Sequence, residues 1–145
     1  MLSTLTLSHT GGGLTLGKGF GINVSSKQKL NTRSSTESEL VGADDMANMI
    51  LWTGLFMEAQ GYDIQQNILH QDNKSTILLL NNGKKSSSKR TRAINIRYFF
   101  LTDQIEKKRL EVQYCPTKEM WADYHTKPLQ GPLGRDMRDR IMGRK

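Results

Sequence analysis

The spacing of apolar positions changes several times along the chain, and each change marks an element. Residues 2–7, LSTLTL, place Leu2, Leu5 and Leu7 among hydroxyl side chains and run into SHTGGG, which has the composition of a turn. Beyond it, LTLGKGFGINVSS carries Leu14, Leu16, Phe20, Ile22 and Val24 between Gly17, Gly19 and Gly21. Short β-prone runs broken by glycine predict an antiparallel hairpin, not a helix. The segment GKGFG lacks the lysine–serine ending of a phosphate-binding P-loop, so its glycines indicate a strand or turn.

A long helix follows. Thr36 and Glu39 have capping-box spacing, and Leu40, Ala43, Ala47, Ile50, Leu51 and Leu55 hold one stripe to about Gly61. NILHQ predicts a short strand, and the next residues a helix from Asn73 or Lys74 to about Asn82. After the loop NGKKSSSKRTR, Ile94, Tyr98, Leu101 and Ile105 trace a third helix. LEVQYC alternates as a strand does, and CPTKEMWADYHTKPL leads from a turn into a short helix. Leu133, Met137 and Ile141 share one face of a last helix, marginal in isolation. Strands first, then helix and strand in alternation, predict an α/β fold with a mixed β-sheet flanked by helices. Residues 1–129 form the main domain in this reading, with 130–145 as a basic C-terminal helix or tail.

Composition narrows the function. The chain has 145 residues, enough for one domain with a real core. Its 21 lysines and arginines outnumber 14 acids, giving a net charge of +7, which favours an anionic partner such as nucleic acid. The single cysteine, Cys115, excludes an internal disulfide and fits a reducing compartment. With His9, His70 and His125 it makes no zinc pattern. No apolar run is long enough for a bilayer, and the first residues lack the pattern of a signal peptide, so the expected location is cytoplasmic or nuclear, with no membrane partner.

Three acids have settings that invite chemistry. Asp72 stands at the carboxyl end of a predicted strand, where open α/β sheets place ligands. Glu39 lies in the first turn of the predicted long helix, and Asp123 near the start of a later short one. Carboxylates gathered from such positions can hold hard divalent cations, and a pair of ions ~3.5–4 Å apart can drive phosphodiester cleavage. Each acid also has an ordinary structural role. Glu39 and Asp123 complement helix dipoles, and Asp72 can cap the helix after it. Spacing alone does not bring the three together.

The order of four segments adds to this. SSTESELVGAD, LHQDNKSTILLLNNG, NIRYFFLTDQI and VQYCPTKEMWADYHTKPLQG resemble, in sequence, the ribonuclease H domain of Copia-type retrotransposon Pol polyproteins over roughly residues 8–142. The resemblance implies a ribonuclease H-like fold that hydrolyses the RNA strand of RNA–DNA hybrids with two Mg²⁺ ions, Mn²⁺ being a possible substitute. It implies Glu39, Asp72 and Asp123 as the catalytic and metal-binding carboxylates. Glu39 is preferred to Glu37 because ELVGA resembles an E-L-x-A segment of related enzymes. The ancestral partner is the reverse transcriptase part of the same polyprotein. The family's site begins with an aspartate on the first strand, whereas here no acid precedes Glu37, and Ala93 and Asn95 stand where many members have histidine and aspartate. Impaired activity is therefore expected. The alternatives are a non-enzymatic nucleic-acid-binding module and an inert remnant.

Lys84, Lys85, Lys89, Arg90, Arg92 and Arg97 occur without an intervening acid in and after a serine-rich loop. They are the expected contacts to a hybrid's phosphates, the other uses of such a run being a solvated surface or an import signal. Recognition would be of backbone, groove shape and 2′-hydroxyls. Trp52, next to Ile50 and Leu51, is expected at the core or its edge, and Trp121 in the core or as a stacking platform. His125 is expected at the surface, and Cys115 as a buried thiol.

Overall fold

The computed structural model of the chain describes residues 9–28, 35–82, 92–125 and 128–144. Strands β1 (His9–Thr15) and β2 (Phe20–Lys27) form an antiparallel pair in register from His9 opposite Lys27 to Leu14 opposite Ile22, with a slip before Thr15 meets Phe20. The glycines of SHTGGG therefore lie in a strand, and the chain reverses between β1 and β2 instead. Close packing explains this departure from the expected turn. A Cβ at Gly12 would land on the Met46 side chain, and one at Gly13 on the Phe20 ring.

Helix α1 (Ser35–Ala59) already includes Ser35, so Thr36 lies within its first turn and not at its cap. Its far end closes with Gly61 at φ +90°, where glycine is at ease. The Gly61 N–H donates to the Glu58 carbonyl at 2.9 Å and the Tyr62 N–H to the Met57 carbonyl at 3.1 Å, the Schellman arrangement.

Strand β3 (Ile68–Gln71) pairs in parallel with β4 (Glu111–Tyr114), from Ile68 opposite Glu111 to Gln71 opposite Tyr114. Helix α2 (Lys74–Asn82) follows β3 directly, and α3 (Arg92–Glu106) runs back toward β4. The core gathers Leu40, Ala43 and Ala47 of α1 with Leu69, Leu80, Leu101 and the Tyr98 ring, whose hydroxyl donates to the Leu79 carbonyl at 2.8 Å. The architecture is thus mixed α/β. Among the described residues the strands form two separate pairs in place of one continuous mixed sheet.

The segment after β4 makes two short 3₁₀ turns, Thr117–Glu119 and Trp121–His125, where one short helix is expected from sequence. The second turn docks on the hairpin. Trp121 packs on the Phe20 ring with centroids 5.7 Å apart, and the Ser25 hydroxyl donates to the His125 carbonyl at 3.0 Å. Helix α4 (Gly131–Ile141) buries Met137 and Ile141 but leaves Leu133 exposed.

Trp52 departs from its expected place. It points outward at 63% exposure and stacks on Phe56, because the neighbouring Thr53 and Gly54 take the inward face. Cys115 is half-buried, not fully so. No helix of the described residues is long and apolar enough to cross a membrane.

Candidate active site between the two strand pairs

A cleft of about 1130 Å³ separates the β1–β2 pair from the β3–β4 pair. Its walls come from β1, from α1 (including Glu39, Gly42 and Met46), from Asn67–Asp72 and from Glu119–Ala122. Sequence-distant carboxylates line the same cleft. Glu39 and Asp72 both line the cleft, and both are half-buried; Glu37 does not line it.

Local chemistry fixes the seam at Asp72. The buried side chain of Gln71 turns back, and its Oε1 accepts from the N–H groups of Asp72 at 2.9 Å and Asn73 at 3.1 Å. Asn73 then caps α2, its Oδ1 accepting from the N–H groups of Ser75 at 3.0 Å and Thr76 at 3.2 Å. The cap that Asp72 was a candidate to supply is Asn73's. Asp72 stands one residue earlier and lines the cleft. Glu39 is the fifth residue of α1, and Glu37 is the acid of its first turn. A dipole effect that fades within one turn therefore gives little reason for Glu39.

Asp123 belongs to the turn Trp121–His125, immediately after the cleft-lining residues Trp121 and Ala122; its side chain lies outside the described residues. Among the described residues no group of three His, Cys, Asp or Glu side chains is arranged to hold a metal ion. Lys84, Lys85, Lys89 and Arg90 lie outside the described residues, and Arg92 opens α3 with its side chain likewise outside them.

Arg97 is described, and it pairs with two aspartates of α1. Its Nη1 donates to Asp44 Oδ2 at 3.1 Å and to Asp45 Oδ1 at 2.8 Å, fastening α3 to α1. Burial pushes the Asp44 carboxyl above its usual pKa; Arg97 opposes the rise and the Asp45 charge adds to it. Beyond the cleft-lining Trp121 and Ala122, His125 stacks on Phe20 with centroids 6.2 Å apart, and its Nε2 lies 3.0 Å from Asn23 Oδ1. Partial burial lowers its pKa, and the residue is partly exposed.

Sequence reasoning missed the aspartate pair and the contribution of Gln71. The adjacent acids on the apolar side of α1 were the available signal for the first, but their partner lies 53 and 52 residues away. Another hidden network ties the hairpin to α1, with buried Gln28 donating from Nε2 to Thr10 Oγ1 at 2.9 Å and to the Ser38 carbonyl at 3.0 Å. That contact sits one residue before Glu39 and fixes the start of α1 against β1.

No family profile matches the chain, and no solved structure matches it. Over 100 residues, 69% of its length, it is 28% identical to the retrovirus-related Pol polyprotein from transposon TNT 1-94 of Nicotiana tabacum. The chain spans 7% of the length of that polyprotein.

Proposed function

We propose that this chain is a retrotransposon-derived ribonuclease H-like domain whose cleft holds divalent metal between Glu39, Asp72 and Asp123. The observation that carries the reading is Asp72. Asn73 performs the capping that would otherwise account for it, and the carboxylate shares a cleft with Glu39 from a separate element. Similarity to a Pol polyprotein and the net charge of +7 support it from outside the cleft. Hard carboxylate oxygens fit Mg²⁺ or Mn²⁺. When bound, the ions would supply an activated water and stabilise the leaving oxygen of an RNA phosphodiester. The chain's own residues would hold the ions' ligands in place: Gln71 accepts from the Asp72 N–H, Asn73 caps the helix that follows, and Gln28 fixes the start of α1 beside Glu39. Lys84, Lys85, Lys89, Arg90 and Arg92 would contact the hybrid's phosphates.

Because no acid precedes Glu37, the proposed activity on RNA–DNA hybrids is weak or lost in this chain alone. The test is cleavage of an end-labelled RNA–DNA hybrid in Mg²⁺ and in Mn²⁺, with Asp72→Asn run beside the wild type. Cleavage that disappears in the variant supports a metal nuclease. Cleavage equal in both proteins sinks the assignment of Asp72. Salt-sensitive hybrid binding without cleavage in either protein favours the second reading, a binding module, for which the basic charge is the supporting feature.

A further inference from the structure

The parallel strands β3 and β4 end side by side, with Gln71 opposite Tyr114 and the Cys115 N–H donating to the Gln71 carbonyl at 2.9 Å. The residues just past the two strand ends are therefore neighbours. Asp72 and Cys115 line the cleft. Beside them Lys74 holds its ammonium over the Tyr114 ring, with Nζ 4.9 Å from the ring centroid. Both side chains are exposed, Tyr114 at 49% with the lysine in place.

Stability gives little reason for this pair. Lys74 is the first residue of α2, where the positive end of the helix dipole disfavours a cation, and the cap is supplied by Asn73. An exposed cation–π contact gives back only a gain of the same small size. The place is one where α/β sheets bind ligands, at the carboxyl ends of parallel strands and the start of the helix that follows. Its chemistry suits one kind of ligand. An ammonium is a point donor for phosphate, and a half-open aromatic ring is a packing surface for a sugar or a base. A free inorganic anion would use the lysine alone, and an aliphatic surface the ring alone. A nucleotide unit uses both, and the chain's net charge of +7 draws nucleic acid toward it.

We infer that Lys74 and Tyr114 bind the RNA–DNA hybrid at the rim of the cleft beside Asp72, Lys74 pairing with a backbone phosphate and Tyr114 packing on the adjoining ribose. Contacts of this kind position a strand without reading its sequence. The inference rests on the reading of the cleft as a hybrid site and adds to it a pair of binding residues that act without metal. Binding in EDTA tests the pair, and cleavage that depends on Asp72 tests the nuclease, so that each can fail alone.

The experiment titrates a fluorescein-labelled RNA–DNA hybrid with the full chain in EDTA at several NaCl concentrations and follows anisotropy. Wild type is compared with Lys74→Glu, Lys74→Gln and Tyr114→Ala, and urea unfolding is measured for each. Lys74→Glu places an acid where the helix dipole favours one, so its urea midpoint should equal or exceed that of wild type. Its hybrid binding should nevertheless weaken about tenfold or more. Lys74→Gln should lower the slope of log affinity against log salt by about 0.7–0.9, the share of one phosphate contact. Tyr114→Ala should weaken binding about fivefold or more. Absence of hybrid binding by wild type at low salt, variants that bind as wild type does, or an unchanged slope in Lys74→Gln would overturn the inference. So would a urea midpoint in Lys74→Glu that falls along with its binding, which would make the lysine structural. An oligoglutamate peptide that displaces the hybrid, and loses its own binding to the same variants, would give the pair to an acidic polypeptide and overturn the hybrid contact. Variants that bind as wild type while cleavage still depends on Asp72 would leave the nuclease reading standing without this contact. Weakened binding in the variants with no cleavage by wild type would leave the contact standing without the nuclease.

Discussion

Replacing Asn73 by alanine separates a capping residue from a cleft residue at the seam between β3 and α2. Asn73→Ala removes the oxygen that accepts from Ser75 at 3.0 Å and Thr76 at 3.2 Å, leaving N–H groups of the first turn without that partner. Loss of an N-cap costs ~1 kcal/mol, within a range of ~0.5–2. Thr76 is buried, so water replaces the lost acceptor poorly at that amide, and the upper half of the range applies. For a chain of this length such a loss lowers Tm by about 4 °C. Asn73→Asp keeps the acceptor and should restore most of it. Asp72→Asn preserves shape and leaves the Asn73 cap in place, so it should cost less stability than Asn73→Ala. Thermal and urea unfolding followed by circular dichroism in EDTA measure all three. A loss of 1 kcal/mol or more in Asp72→Asn, with Asn73→Ala near zero, would show that Asp72 is the structural residue and would remove the main support for the cleft as a site.

Other outcomes follow from the same packing. Gly13→Val puts branched carbon against the rigid Phe20 ring and should destabilise by ~2–3 kcal/mol, seen as a lower urea midpoint; an unchanged midpoint would mean that the hairpin is not held this tightly. Arg97→Ala leaves Asp44, whose side chain is 8% exposed, without its cation, and should cost ~2 kcal/mol at neutral pH. Asp44→Asn tests the raised carboxyl pKa. A carboxyl that takes up its proton more readily when folded makes the native state gain stability as pH falls through its raised pKa toward the usual 3.8. The asparagine variant should therefore compare best with wild type at neutral pH and lose that relative advantage as pH falls, in Tm measured across the range. A difference that does not vary with pH would refute the burial argument.

Much of the fold is written locally. The strand at residues 67–71, the helix after it to Asn82, the third helix and the final strand follow from apolar spacing and appear at nearly the expected bounds. Met137 and Ile141 also find the core from a helix that is marginal alone, since their face is set by a 3.6-residue period. Asp72 was legible as a seam residue because an abrupt polar triplet between apolar runs is a local signal.

What tertiary structure decided is of another kind. Three consecutive glycines have the propensity of a turn, yet Gly11–Gly13 became strand because Met46 and Phe20 occupy the space that side chains would need. Trp52 has a core residue's chemistry but faces out, since which side of a long helix is covered depends on what packs there. The Asp44–Asp45–Arg97 link joins residues far apart in sequence, and so does the cleft that Glu39 and Asp72 both line. No periodicity encodes such separations. Which strands pair among the described residues is likewise invisible in the sequence, because each strand carries its alternation whichever neighbour it meets.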